Sequence, residues 1–451
     1  MGVTNSSIET TWHYWERKVI EMATVTSMKS NTPDISRDSL LTLGREAREA
    51  AKSLALISGE ARAQAIRAIA KEVTRRASEI LEANAGDMSA AKESGLSTAK
   101  LDRLSLDEKR LEGFASALEE IASLPDPLRV LASWERPNGL QVERVATPLG
   151  VIGMIYESRP GVTLDAACLC IKSGNGAILR GGSESFHSNH ALHQCVVSGL
   201  ERAGLPGAAV ALVPTRERGV VSEMLAGLDG CIDVIVPRGG RSLVELVWDE
   251  ARVPVFGHLE GVCHVYVDKS ARLDMAREIV VNSKLRRTGI CGAAETLLVD
   301  SGCSQEYVGA LASALHEHGC EIRGDNRARQ IHPDMKAATV EDWSKEYLDK
   351  IITLGVVDGV EGAIEHIGAY GSGHTESIIS EDADAVAQFF RNVDSAILLH
   401  NASTQFADGG ELGMGAEIGI ATGKFHARGP VGAEQLVGWK YLVRGSGQLR
   451  P

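Results

Sequence analysis

No apolar run in the 451 residues approaches the roughly 20 needed to cross a bilayer, so no membrane-embedded protein is expected. Paired cysteines are also missing. The eight cysteines stand singly, with only Cys168 and Cys170 close together, and no C-x-x-C motif or disulfide-scaffold density occurs. A reducing cytoplasm is the expected location. Basic residues are outnumbered: 47 Lys and Arg face 60 Asp and Glu, for a net charge of −13, which disfavours nucleic acid as a partner. The G-x-G-x-x-G fingerprint is absent, so a standard Rossmann dinucleotide site is not indicated. The first 35 residues lack an apolar core segment and carry Glu9, Glu16 and Glu21. They resemble neither a secretory signal nor a mitochondrial presequence, and segment 1–35 reads as a poorly ordered extension with Met22 and Met28 as alternative starts.

What is present is ordinary for a folded protein: 44% hydrophobic and 24% charged residues, with length for about three structural units. From Ser39 to Ser123 the chain is rich in Ala, Leu, Glu, Lys and Arg and reads as an α-helical block. Pro125, Pro127 and Pro137 end it, and Leu140–Ala146 alternates like an exposed strand. From Gly150 onward, short Val- and Ile-rich runs alternate with helical stretches. The expected strands are Val151–Tyr156, Ala177–Arg180, Ala209–Val213 and Asp233–Val236. A second series follows at His264–Val267, Glu295–Val299, Ile351–Val357, Ser377–Ile379 and Ala396–His400. This rhythm predicts an α/β fold with two parallel-sheet units and a cleft between them.

Asn282–Cys291 (NSKLRRTGIC) is the strongest chemical feature. Lys284, Arg286 and Arg287 precede the thiol, and Gly289 and Gly292 flank it. Neighbouring positive charge favours a thiolate, and glycines let a substrate approach. On residue types alone, Cys291 is either a nucleophile or one more small buried side chain. Two loops follow strands and open helices: Arg180-Gly181-Gly182-Ser183 and Arg238-Gly239-Gly240. Each could be an ordinary tight turn, and together they fit the diphosphate of a cofactor. His187, His190 and His193 recur every third residue without a completing carboxylate, and Cys263-His264 has no second pair. No metal is expected.

Several longer stretches now carry a resemblance: Gly150–Pro160 (GVIGMIYESRP), Lys172–Ser185 (KSGNGAILRGGSES), Cys263–Asp268 (CHVYVD), Gly371–Glu376 (GSGHTE), Val393–Leu412 and Gly413–Pro430 (GMGAEIGIATGKFHARGP). From about Leu40 to the C-terminus the sequence resembles the γ-glutamyl phosphate reductase family of the aldehyde dehydrogenase superfamily. The resemblance implies two Rossmann-like α/β domains with a β-hairpin oligomerisation arm. Residues 36–255 would form the NAD(P)-binding domain, interrupted by an arm strand at 138–147. Residues 256–395 would form the catalytic domain, and 396–451 would return to the cofactor domain and arm.

The implied reaction takes γ-glutamyl phosphate and NADPH to glutamate 5-semialdehyde, NADP and phosphate, the second step of proline biosynthesis. Cys291 falls at the family's nucleophile. Ser158 stands where hydrolytic aldehyde dehydrogenases carry an oxyanion-stabilising Asn, and His258 where they carry a water-activating Glu. Gly292 departs from an Asn common after the cysteine. Arg159 is implied to meet the substrate phosphate, with Asn401, Glu411 and Arg428 holding the rest of this small molecule. Arg180, Gly181, Gly182, Ser183, Arg238, Gly239, Gly240 and Glu346 are implied to bind NADPH/NADP. A homodimer or dimer-based oligomer is expected, with the glutamate kinase that makes the labile substrate as a candidate partner. Two rivals remain at this stage: a CoA-acylating aldehyde dehydrogenase, and a catalytically silent relative acting as a binding protein.

Overall fold

A computed structural model describes residues 35–450; the expected N-terminal extension lies almost wholly outside them. Five helices span Arg37–Leu54, Gly59–Arg75, Ala77–Glu93, Thr98–Leu104 and Glu108–Ser123. Three of the starts carry side-chain caps: Ser36 Oγ accepts from Ser39 N–H, Ser58 Oγ from Ala61 N–H, and Asp107 from Arg110 N–H. Arg62 is buried on the second helix, where its guanidinium donates to Asp126 Oδ1 (2.6 Å) and Ile57 O (3.0 Å).

Three antiparallel strands come next in space: β1 (Val130–Glu135), β2 (Gln141–Pro148) and, from the C-terminus, β16 (Val437–Arg444), in the order β1-β2-β16. The two-stranded hairpin expected from the sequence is therefore a three-stranded sheet. β1 is almost entirely exposed, so it has no inward-outward alternation, and pairing with β2 alone makes it a strand.

The first parallel sheet contains β3 (Val151–Tyr156), β4 (Gly176–Arg180), β5 (Val210–Leu212) and β6 (Val234–Arg238), in the order β5-β4-β3-β6. Every residue of β3 is buried, as expected of a strand covered by helices on both faces. Helices Val162–Lys172 and Phe186–Arg202 pack with the N-terminal block over this sheet. A short helix, Gly219–Leu225, follows β5.

The second parallel sheet has seven strands: β7 (Cys263–Val267), β8 (Ala294–Asp300), β9 (Glu321–Gly324), β10 (Lys336–Ala337), β11 (Ile351–Val357), β12 (Thr375–Ile379) and β13 (Ile397–His400). Their order is β10-β9-β11-β8-β7-β12-β13. Because β13 pairs with β12, this layer continues beyond the boundary at 395 expected from the sequence. Residues 403–405 stay with it, since Gln405 Nε2 donates to Ser283 O (2.8 Å). The chain returns afterwards: Ile418, Ala421, Ala427, Val431 and Leu436 are buried in the same core as β3 and β4. Two short strands, β14 (Ile420–Ala421) and β15 (Gly429–Pro430), pair within this returning segment.

Candidate active site

Both sheets present a switch in strand order at the same place. In the first, β3 lies between β4 and β6, so the loops after β3, β4 and β6 open side by side at the C-terminal edge. In the second, β7 lies between β8 and β12. Here the site residues come from the N-terminal edge: Cys263 begins β7, Cys291 precedes β8, and His374 immediately precedes β12. Segment 254–261 joins the two sheets. Phe256 N–H donates to Ile235 O (2.9 Å) beside β6, and Gly261 lies against Cys291.

Cys291 is half-buried. A Cβ on Gly261 would overlap the Cys291 carbonyl and lie 2.8 Å from its Cα, so glycine is what permits this approach. The thiol of Cys263 donates to Cys291 O (3.0 Å) from below. Burial pushes the Cys263 and Cys168 thiols far up and those of Cys195 and Cys320 to about 11, which makes these four poor nucleophiles near neutral pH. The positive surroundings differ from the sequence reading in one respect. Lys284 is fully buried and spends its charge in an ion pair with Glu295, whose carboxyl burial raises to about 7. The cation electrostatically coupled to Cys291 is Arg159. Although Arg159 is exposed at the surface, the protein packed around its guanidinium, with crowding by Arg238, Arg103 and Arg287, lowers it to about 10, and Cys291 opposes the shift. Two histidines complete the surroundings: the His258 and His374 rings meet edge to face with centroids 4.9 Å apart.

The expected cofactor residues gather at the first sheet's edge. Arg180 ends β4, its guanidinium donating to Gly181 O (3.0 Å) and Arg216 O (3.2 Å) while its buried Nε has no partner. Gly182 adjoins the Glu184 carboxylate, and Ser183 is exposed at the start of the following turn. At the other loop, Gly240 N–H donates to Glu157 Oε2 (3.1 Å), and Gly239 packs against the same carboxylate. Arg238 ends β6 but reaches away from these glycines, lying 3.4 Å from the Cβ position of Gly419. Glu346 is on the second sheet's side, where its Oε1 accepts from Gly261 N–H (3.1 Å).

The other expected site residues are engaged as follows. Ser158 has the strained φ of 45°, and both its N–H (2.6 Å) and its hydroxyl (2.7 Å) donate to Glu184 Oε1. Its single O–H is thus already spent, so stabilising an oxyanion would require it to turn from Glu184. Asn401 also has a positive φ, 52°, and its amide pairs with both Ser380 N–H (3.0 Å) and Ser380 O (3.1 Å). Arg428 donates to Asp394 Oδ1 (2.5 Å) and Asp394 O (2.7 Å), and Glu411 is exposed. Asn401 and Arg428 therefore brace the loops around the cleft in this arrangement.

Sequence reasoning missed Glu157, Glu184, His374, Arg103, Arg216 and Arg218. The partners of both glutamates lie on other loops, 26 and 83 residues away, so no local pattern marks them. Arg216 and Arg218 follow β5 and join Arg180 at the sheet edge: Arg216 O accepts from Arg180, and Arg218 lowers its pKa. Their signal was a cluster of arginines after a strand, at a loop lacking glycine pairs.

Residues 18–350 match the aldehyde dehydrogenase family model. The gamma-glutamyl phosphate reductase of Allorhizobium ampelinum is 59% identical over 413 residues, covering 91% of this chain and 97% of that protein. The chain belongs to the aldehyde dehydrogenase family and, within it, to the γ-glutamyl phosphate reductases. A Brucella suis protein of the same name is 57% identical over 420 residues, covering 93% of this chain and all of that protein. The crystal structure of gamma-glutamyl phosphate reductase from Thermotoga maritima superposes with a TM-score of 0.89 at 42% identity, covering 91% of this chain and 100% of that one. An acetylating aldehyde dehydrogenase from Geobacillus thermoglucosidasius shares the fold, with a TM-score of 0.67 at 18% identity over 92% of this chain and 98% of that one. Members of the family use nicotinamide cofactors.

The Gly261 contact supplies a direct test of the site geometry. Gly261→Ala should displace the Cys291 backbone and lower kcat on the order of 10²-fold, since small misplacements of a reacting group are costly. An unchanged kcat would contradict the geometric role.

Proposed function

We propose that the protein reduces γ-glutamyl phosphate to glutamate 5-semialdehyde and phosphate with NADPH, through a thioester on Cys291, in the cytoplasm and as a step of proline biosynthesis. The observation that carries the reading is the half-buried Cys291 within electrostatic range of Arg159, whose guanidinium is also influenced by Arg238, Arg103 and Arg287. Such a set suits a thiolate that attacks a carbonyl while a phosphate dianion leaves beside it. The Cys291 sulfur forms a C–S bond to the γ-carbon, the acyl C–O bond breaks, and phosphate departs with its electron pair. Arg159 neutralises the charge on the departing oxygens. After reduction, the tetrahedral alkoxide collapses, expelling the thiolate and releasing the aldehyde. Backbone N–H groups around Cys291 hold the oxyanion. His258 stands where hydrolytic relatives carry the carboxylate that activates water against the thioester.

The first sheet's edge fits a dinucleotide. Gly181, Gly182, Gly239 and Gly240 bring bare backbone to the switch point, and the unpartnered Nε atoms of Arg180 and Arg216 are donors without acceptors. Bound there, a reduced nicotinamide supplies the hydride that takes the acyl carbon to the aldehyde level. Glu346, held by Gly261, is the candidate partner for the nicotinamide ribose. Exposed Trp134, Trp439, Tyr441 and Val443 on β1 and β16 form an apolar surface suited to a second copy of the chain.

Three outcomes test this reading. Cys291→Ser keeps the volume but not the acidity, so NADPH oxidation with the acyl phosphate should fall by about 10³-fold or more, at least about 4 kcal/mol of barrier. Cofactor binding should survive; retention of most activity would contradict the nucleophile assignment. NADPH should be preferred over NADH, and Arg180→Ala should weaken NADPH about 10- to 100-fold while leaving NADH nearly unchanged, as expected for a charged hydrogen bond from this strand-end arginine to the 2′-phosphate that NADPH alone carries. Equal efficiency with both cofactors would defeat the cofactor assignment. Light scattering at micromolar concentration should give a dimer or larger assembly, and a monomer would reject the proposed interface.

A further inference from the structure

The sulfur of Cys291 and a ring nitrogen each of His258 and His374 lie within 4.8 Å of one another. Nothing in the reduction requires this set to converge, and the three residues come from three separate segments. Each imidazole is oriented as metal-binding histidines usually are. Nδ1 of His258 lies 2.7 Å from Ile420 O, so it carries the proton and leaves Nε2 as the free ligand atom. Nδ1 of His374 lies 2.9 Å from Thr375 Oγ1 and 3.5 Å from Cys263 Sγ, and its Nε2 has no partner although the residue is 0% exposed. A buried imidazole nitrogen without a partner is costly, and it marks a site that can receive a ligand.

We propose that Cys291, His258 and His374 form a reversible inhibitory site for a thiophilic divalent cation of the Zn2+ class. One sulfur and two nitrogens form a soft, neutral-to-anionic donor set suited to zinc rather than to magnesium or calcium. At Zn–S of about 2.3 Å and Zn–N of about 2.0–2.1 Å, tetrahedral ligand atoms stand roughly 3.3–3.6 Å apart. The present spread closes to that with movements on the order of 1 Å, which the half-buried Cys291 loop can make. Three protein ligands leave the fourth position to water. Binding replaces the thiol proton by the cation, so the proton is released and the sulfur pair is no longer free to attack carbon. Chelation reverses the block. The sequence hid this site because Cys263-His264, the adjacent pair that draws attention, contributes neither ligand: His264 is turned to Glu376 (2.9 Å) inside the sheet.

The test uses the full chain without a histidine tag, treated with EDTA and desalted. Calorimetric titration with Zn2+ should show one equivalent bound per chain with micromolar or tighter affinity, and Co2+ should give a thiolate-to-cobalt charge-transfer band. Cys291→Ala should abolish the band and weaken Zn2+ at least tenfold, and His374→Ala should weaken Zn2+ similarly. Cys263→Ser should retain both signals. Because His374 is buried, its variant is read only if it melts cooperatively; Cys291→Ala, on a half-exposed loop, decides the matter without it. Absence of saturable Zn2+ binding, or binding at full strength in Cys291→Ala, would overturn the proposal. These readouts need no substrate, so they are independent of the reductase assignment.

Discussion

The backbone of Gly261 lies against the backbone of Cys291, and the rest of the site depends on that contact. It brings the start of β7 beneath the cysteine, so that Cys263 can donate to the Cys291 carbonyl. It also brings Gly261 N–H to Glu346, which fixes the acidic residue at the same spot. One residue type at one position thus couples the candidate nucleophile, a second thiol and a cofactor-side carboxylate. Larger side chains are excluded by overlap rather than by an unusual dihedral angle.

The two sheets divide the work according to their polarity. The first offers its C-terminal edge, where backbone N–H groups suit a diphosphate and the strand-end Arg180 suits a 2′-phosphate. The second offers its N-terminal edge, where Cys291 and His374 sit just before buried strands. Segment 254–261 links those edges, and the returning segment 418–436 locks them by burying its apolar residues in the first core.

Much of the fold was legible because its strands are buried on both faces. Val151–Tyr156 and Ile351–Val357 were read to the residue, since continuous Val- and Ile-rich runs define them. β1 was not, because VLASWE is exposed on both faces and owes its conformation to β2. In the site, the expectations for Cys291 and Arg159 rested on local composition and resemblance. The brace of Ser158 by Glu184 and the approach of His374 to His258 were not, because each joins segments that only the tertiary fold brings together. Lys284 shows the reverse error: its nearness in sequence to Cys291 suggested influence on the thiol, but helix phase turns it into the interior toward Glu295.

The central claim is that Cys291 carries the acyl group and that water is kept from it. A rapid-mix measurement of NADPH formation from glutamate 5-semialdehyde and NADP, first without and then with phosphate, tests both halves at once. The account predicts a burst of about one NADPH per subunit without phosphate, followed by near arrest, and steady turnover once phosphate is added. Sustained turnover without phosphate, or an undiminished burst in Cys291→Ser, would contradict it.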